Sequence, residues 1–189
     1  MIIILNGTSS SGKSTIAQAL QHQLSDGWLY FSMDGYLSML GPKFWGLSPD
    51  NPEVCLPNEI CYAKKHNDET YEIITGKLCS ELYATIPDVL KLMANRGFNI
   101  IVDTFIATNE EFVSYKEKLE KYNPLFVYLH APEHIIYDRE KARGDRLRGS
   151  ANHWLKAFEC VDEFELKINT EEISAEQATA IILEKLNHA

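Results

Sequence analysis

Alternating hydrophobic segments along the chain predict an α/β fold. Five short segments rich in apolar residues, at positions 2–6, 28–33, 98–102, 125–130 and 164–168, are predicted to be strands, and the first of them begins with a continuous apolar run. Consecutive apolar positions are typical of strands buried on both faces of a parallel sheet. Between these runs, apolar residues recur at helical spacing. Strands that alternate with helices form βαβ units, so the pattern predicts a five-stranded parallel sheet between two helical layers.

The predicted helices occupy residues 14–24, 69–95, 109–122, 132–143 and 174–186, and the second is interrupted near Pro87. Ser174 and Gln177 have the spacing of a capping box at the start of the last helix. Residues 41–67 contain four of the seven prolines and show no apolar period, which predicts an irregular insertion. No linker or repeat interrupts the pattern, so residues 1–189 are predicted to form a single domain.

A glycine-rich loop follows the first predicted strand. Residues 7–14, Gly-Thr-Ser-Ser-Ser-Gly-Lys-Ser, match the phosphate-loop pattern G-x-x-x-x-G-K-S/T in full. Glycines bring backbone N–H groups close to phosphate oxygens, the lysine reaches the β- and γ-phosphates, and the last serine reaches Mg²⁺. The sequence therefore predicts binding of ATP and Mg²⁺. The predicted binding residues are Gly7, Thr8, Ser9, Ser10, Ser11, Gly12, Lys13, Ser14 and Thr15.

Two aspartates follow predicted strands. Because parallel strands present their carboxyl ends at one edge of a sheet, Asp34 and Asp103 are expected near the phosphate loop. Asp103 is predicted to hold Mg²⁺ together with Ser14. Asp34 is predicted to accept the proton of an attacking hydroxyl, with Lys13 as its partner in catalysis. The alternative is that both aspartates only cap turns, where Asp is common.

Arginines are concentrated after the fourth predicted strand. Arg139, Arg143 and Arg146 share one helical face, and the helix is expected to break near Gly144. Arginines on a mobile lid can stabilise charge on a transferring phosphoryl group, so residues 139–151 are predicted to form a lid. Arg143 is assigned a catalytic role, and the other two arginines are predicted to bind the nucleotide. A plain solvated face is the alternative, because Glu140 dilutes the run of positive charge.

The amino-acid composition limits the kinds of partner that the chain is expected to bind. A net charge of −9 and a pI near 5.1 argue against nucleic acid as a partner. The four cysteines, Cys55, Cys61, Cys79 and Cys160, have neither C-x-x-C nor zinc-ligand spacing and are expected to be reduced thiols. The apolar residues 1–5 are too few for a signal-peptide core or a membrane span. A cytoplasmic location without membrane attachment is therefore expected.

These segments together resemble the chloramphenicol phosphotransferase-like family of P-loop kinases. The resemblance lies in residues 4–7, in Ser9–Ser14, in Trp28-Leu29 leading to Asp34, and in Ala142–Arg146. It implies a nucleoside- or shikimate-kinase-like fold with strand order 2-3-1-4-5. It also implies ATP-dependent phosphorylation of a hydroxyl, with Asp34 as the base and residues 139–148 as a lid over ATP.

The chain departs from the family in two places. Where the family has a His-containing stretch and a Tyr-Asp pair, this chain has Glu159 and Phe164-Glu165. Residues 35–97 also match poorly, and within them Tyr36, Phe44 and Trp45 are expected to line an acceptor site. The family's antibiotic acceptor is therefore expected to be a poor substrate.

Three functions remain open from the sequence. The leading one is a phosphotransferase that moves the γ-phosphate of ATP to a hydroxyl of a small molecule. A polynucleotide 5′-hydroxyl kinase is the first alternative, but it should have a basic channel and the chain is acidic. The second is a nucleotide-binding regulator without an acceptor, which does not need the carboxylate of Asp34.

Overall fold

The structure is a computed structural model that describes residues 1–24, 27–41, 62–68, 70–144, 147–155, 158 and 161–187. The strands are β1 (Ile2–Asn6), β2 (Leu29–Ser32), β3 (Tyr62–Lys65), β4 (Tyr71–Ile74), β5 (Ile100–Thr104), β6 (Leu125–His130) and β7 (Leu166–Asn169). The helices are α1 (Lys13–Gln23), α2 (Met33–Leu37), α3 (Lys77–Ala84), α4 (Ile86–Asn95), α5 (Asn109–Leu119), α6 (Glu133–Arg143), α7 (Ser150–Leu155) and α8 (Ala175–Asn187). Single 3₁₀ turns cover Glu120–Tyr122 and Val161–Glu163.

Five strands form one parallel sheet in the order β2-β5-β1-β6-β7. The predicted α/β fold with a five-stranded parallel sheet is confirmed. The labels differ from the predicted order 2-3-1-4-5 because β3 and β4 lie outside this sheet. The central position of β1 places the loop that follows it in the middle of the carboxyl edge, where ligands bind in open α/β sheets.

The central strand explains the continuous apolar pattern. Side chains of successive strand residues point to opposite faces, and every residue of β1 is buried. Ile2 and Ile4 pack on the face covered by α4 and α5. Ile3 and Leu5 pack on the other face, against α1 and α8. A strand between two helical layers must be apolar on both sides, so its sequence shows no alternation.

Residues 62–74 differ from the prediction. Strands β3 and β4 form a separate antiparallel hairpin in which Lys64 lies opposite Glu72. This part was predicted as irregular chain followed by helix, and both predictions were wrong. The strands have only four residues each and carry charges at the paired positions, so no apolar period marked them. Helix begins only at Lys77, and the predicted interruption near Pro87 is confirmed between α3 and α4. Residues 42–61 lie outside the described residues.

Asn6 connects the two central strands where they end. Its side chain is fully buried. Nδ2 donates to the carbonyl of Ile106 over 2.9 Å, and Oδ1 accepts from the N–H of Ile106 over 2.7 Å. A polar side chain at this position therefore satisfies backbone groups of the chain after β5 and fixes that chain beside the start of the phosphate loop.

Replacing Asn6 by alanine should lower the free energy of unfolding by about 2–4 kcal/mol, because two hydrogen bonds are lost where water has no access. Urea denaturation measures this difference. Asn95→Ala is the control, because Asn95 is exposed near the end of α4 and should change stability by less than about 0.5 kcal/mol. Equal effects of the two substitutions would contradict the structural role of Asn6.

Candidate active site

The carboxyl edge of the sheet opens into a cleft of about 1050 Å³. Its walls come from the phosphate loop, the ends of β2 and β5, helices α3 to α7, and the chain between β7 and α8. This volume is at the upper end of the range for small-molecule sites. The predicted site residues in the wall are Ser9, Ser10, Gly12, Lys13, Ser14, Thr15, Asp34, Asp103, Arg139 and Arg143.

The phosphate loop turns at three residues with positive φ. These are Gly7 at 148°, Ser10 at 64° and Gly12 at 94°. A Cβ on Gly7 would lie 2.2 Å from the carbonyl oxygen of Leu129, at the end of β6. The first glycine therefore allows the loop to pass directly against the neighbouring strand.

The interior of the phosphate loop contains two buried hydroxyl groups that could form further hydrogen bonds. The hydroxyls of Ser10 and Ser11 are buried and have no hydrogen-bond partner among the described residues. Helix α1 begins at Lys13 after Gly12, and within the described chain no side chain caps it. Backbone N–H groups at a helix N-terminus favour an anion. These features fit the phosphates of a nucleotide.

Lys13 bends back over the loop. Its Nζ donates to the carbonyls of Gly7 over 2.7 Å and Thr8 over 2.8 Å, and lies 3.8 Å from Oδ1 of Asp103. The side chain is mostly buried. A positive charge is thus held between the loop and the end of β5.

Asp103, which lies in β5, forms hydrogen bonds with residues of α1 and β2. Its Oδ2 accepts from the hydroxyl of Ser14 over 2.7 Å and from the hydroxyl of Tyr30 over 2.9 Å. Carboxylate and hydroxyl oxygens suit Mg²⁺, so the residues present fit that ion. No group of three or more His, Cys, Asp or Glu residues that could hold a metal occurs in the described chain. Among the described residues, Ser14 and Asp103 therefore supply only part of the oxygen ligands that Mg²⁺ would need.

Sequence reasoning missed Tyr30. It lies on β2, whose register with β5 pairs Ser32 with Asp103. Burial, followed by the negative charge of Asp103, raises the pKa of Tyr30 to about 12. Tyr30 therefore remains a donor at neutral pH. Because its pKa is raised above the ordinary value near 10, its contribution to stability is present below about pH 10 and is lost as pH rises through about 12.

Asp34 lies in the first turn of α2, two residues after β2 ends, so the predicted strand 28–33 was one residue too long at each end. The hydroxyl of Ser32 accepts from the N–H of Gly35 over 2.8 Å, which caps the helix and ends β2 early. The carboxylate of Asp34 is exposed in the cleft wall. Its negative charge also contributes to the raised pKa of Tyr30, so the two groups are close.

The arginines lie near the end of α6. Arg139 donates to Oγ1 of Thr170 over 2.9 Å and to its carbonyl over 2.8 Å, and it approaches the carbonyl of Ser10 at 3.4 Å. Arg143 occupies the last turn and lines the cleft. The helix ends at Gly144, which has a φ of 69°. Arg146 lies outside the described residues.

Helix α7 was not predicted as a helix, although its first two residues lie within the predicted lid at residues 139–151. Its Ser150, Ala151 and Trp154 line the cleft. The Trp154 ring packs edge-on against Phe105 with centroids 5.0 Å apart. A helix of only six residues shows no apolar period, so no sequence signal marked it.

Several other residues that the sequence analysis named lie away from the cleft or outside the described residues. Tyr36, expected in the acceptor site, does not line the cleft, and its hydroxyl pairs with Oγ1 of Thr85 at 2.8 Å. Phe44 and Trp45 lie outside the described residues. Cys79 is buried and forms no disulfide within the described residues, and the other three cysteines lie outside the described part. Among the helices that the structure describes, none is long and apolar enough to cross a membrane.

Comparison with known proteins identifies the family. A model of the chloramphenicol phosphotransferase-like protein family matches residues 1–187. The chain belongs to this family. A relative in Mycobacterium tuberculosis (strain ATCC 25618 / H37Rv), named "Putative O-phosphotransferase Rv2636", is 25% identical over 169 residues, which is 89% of this chain and 74% of the relative.

Solved structures of kinases have the same fold. A sugar kinase from Janibacter sp. HTCC2649 aligns with a TM-score of 0.66 and 17% identity, over 98% of this chain and 94% of that protein. Shikimate kinase from Aquifex aeolicus aligns with a TM-score of 0.58 and 17% identity, over 100% of this chain and 97% of that protein. The chain is therefore a member of a kinase and phosphotransferase family with the P-loop fold.

Replacing Gly7 by alanine should lower the free energy of unfolding by about 1–3 kcal/mol, because the added methyl group forces the loop away from β6. Chemical denaturation tests this. Gly27→Ala is the matched control, because a Cβ on Gly27 would meet nothing within 4 Å. A Gly7 variant as stable as the Gly27 variant would show that this close approach is not required.

Proposed function

We propose that this protein transfers the γ-phosphoryl group of ATP to a hydroxyl of a small molecule, with Mg²⁺ as cofactor. The observation that carries this proposal is a single cleft that contains Lys13, the Ser14–Asp103 pair and the exposed carboxylate of Asp34. The first two match the needs of nucleotide phosphates and their metal. The third matches the needs of an attacking alcohol.

The phosphate loop would bind the nucleotide. Phosphate oxygens can replace the carbonyl partners of Lys13 and accept from the hydroxyls of Ser10 and Ser11. Arg139 lies against the loop and the chain after β7, which places it on the nucleotide side. Arg143, one helical turn further on, would approach the equatorial oxygens of the transferring group.

Ser14 and Asp103 would hold Mg²⁺ on the phosphates. When bound, the ion neutralises charge that develops on the phosphate oxygens during transfer. Tyr30 donates to the same carboxylate oxygen of Asp103 as Ser14 does. It therefore orients Asp103, and its raised pKa keeps the donor proton in place.

Asp34 would accept the proton of the acceptor hydroxyl. As the hydroxyl oxygen forms its bond to the γ-phosphorus, the bond from that phosphorus to the β,γ-bridging oxygen breaks and ADP leaves. The hydroxyl proton passes to the carboxylate of Asp34. Exposure in the cleft leaves this carboxylate accessible to an incoming acceptor.

The lining of the cleft that contains Asp34 supports a small-molecule acceptor. It includes apolar and aromatic side chains, with Ile73, Tyr83, Phe105 and Trp154 among them. The names of structural neighbours, sugar kinase and shikimate kinase, also refer to small acceptors. The net charge of −9 opposes a polynucleotide acceptor.

Asp34→Asn should lower kcat by about 10²–10⁴-fold, the usual effect of losing a positioned base, and leave ATP affinity nearly unchanged. Transfer from labelled ATP to a metabolite extract, followed by product identification, finds the acceptor for these assays. Lys13→Ala should instead lose ATP binding. Glu184→Gln, an exposed change on α8, is the control and should be fully active.

The same assay separates the alternatives. Labelled oligonucleotide would indicate a polynucleotide kinase, and ATP binding without any labelled product would indicate a regulator. Chloramphenicol should be a poor acceptor, because the segment after Asp34 departs from the family pattern. An Asp34 variant with normal turnover would refute its assignment as the base.

Asp103→Asn and Ser14→Ala should each raise the Mg²⁺ concentration that gives half-maximal activity, because both residues are proposed to touch the same ion. A Mg²⁺ titration at saturating ATP measures the shift. Asp88→Asn serves as control, because Asp88 pairs on the surface with Lys118. A titration curve identical to that of the unmodified protein would assign Asp103 a purely structural role.

A further inference from the structure

A buried carboxylate outside the proposed chemistry lies beside the arginines. Glu140 is 3% exposed, although the alternative interpretation of the arginine-rich run placed it on a solvated face. Its Oε2 accepts from the N–H of Ala151 over 2.9 Å and from the hydroxyl of Ser150 over 3.3 Å, and its Oε1 accepts from the N–H of Gly149. Glu140 therefore holds the start of α7 against α6.

The start of α7, which Glu140 holds, is also hydrogen-bonded to the phosphate loop. The hydroxyl of Thr8 donates to the carbonyl of Ala151 over 3.0 Å, and both residues are about 1% exposed. Ala151 thus contacts Glu140 through its N–H and the phosphate loop through its carbonyl. One residue connects α6 to the loop that would bind the nucleotide.

Two further contacts fix the same segment. The N–H of Tyr71 donates to the carbonyl of Arg148 over 2.9 Å, which joins the segment to the hairpin. Trp154 packs on Phe105, which follows β5. Residues 147–155 therefore contact four parts of the fold that line the cleft or border it, namely α6, the phosphate loop, the hairpin and the chain after β5.

We propose that Glu140 is a positioning residue for the transfer reaction. It docks residues 147–155 onto the phosphate loop, so that Thr8 is held in place and Ser150, Ala151 and Trp154 complete the cleft wall. Arg139 and Arg143 flank Glu140 on the same helix, so docking also sets their distance from the loop. This inference rests on the proposed kinase function and adds the contact that assembles its site.

The chemistry requires a carboxylate. Two backbone N–H groups and a hydroxyl point at its oxygens, and hydrogen bonds from such donors to an ionised group are stronger than neutral ones. Glutamine has nearly the same shape, but its NH₂ group would face a backbone N–H. Glu140→Gln therefore weakens the docking contact, because it removes at least one of these hydrogen bonds and sets two donors against each other, with little change in volume.

Glu140→Gln should lower kcat/KM by about 10–100-fold, as expected when supporting groups are misplaced. Hydrogen exchange should become faster in peptides that cover residues 147–155 and remain unchanged in β1. Thr8→Val keeps the shape of Thr8, removes the donor and should produce both effects. Asp138→Asn, an exposed change on the same helix, should produce neither.

The double variant provides the decisive comparison. Because the two contacts act in series through Ala151, combining Glu140→Gln with Thr8→Val should reduce kcat/KM by little more than either change alone. Additive effects would overturn the proposal, as would faster exchange with unchanged kcat/KM. If Glu140→Gln does not fold, Thr8→Val still tests the loop contact. The exchange measurement needs no acceptor, so it decides the docking contact even if the proposed kinase function fails.

Discussion

The carboxylate of Asp103 is where the central sheet meets the phosphate loop, and the rest of the site depends on its position. The parallel register of β1 and β5 places Asp103 beside Leu5, next to the start of the loop. From there it accepts from Ser14 and lies within ion-pair distance of Lys13. Because β1 and β5 are buried in the middle of the sheet, these polar groups are held by a rigid framework. A preorganised arrangement of this kind loses little free energy to reorganisation when a charged substrate binds.

The cleft contains a cluster of positive charge although the protein as a whole is negatively charged. The chain has a net charge of −9, but Lys13, Arg139 and Arg143 all line the cleft and are the basic residues among its described lining. Two of them contact the phosphate loop directly. A local positive region in an acidic protein attracts a compact anion such as a nucleoside triphosphate. An extended polyanion would also be repelled by the negative charge on the rest of the surface.

The walls of the cleft differ in the kind of element that forms them. The phosphate loop follows the buried strand β1 and Asp103 lies in the buried strand β5, whereas α7 and the hairpin are short elements outside the main sheet. Short elements outside the sheet can vary in sequence without cost to the stability of the sheet. Glu140 connects the two parts, because it belongs to a regular helix and holds the start of α7.

The sequence by itself determined the sheet, the phosphate loop and the two aspartates, because buried parallel strands and phosphate loops leave local patterns of consecutive apolar residues and spaced glycines. The tertiary structure alone decided what depends on contacts between distant residues. Tyr30 became a partner of Asp103 only through the register of β2 with β5, across 73 positions of sequence. Glu140 belongs to a charged run for which a solvated face was one interpretation, and only the packing of α7 against α6 shows that this carboxylate is buried. A short helix and a four-residue hairpin carry too few periodic residues to be recognised locally, and the environment of a carboxylate is set by whatever packs against it.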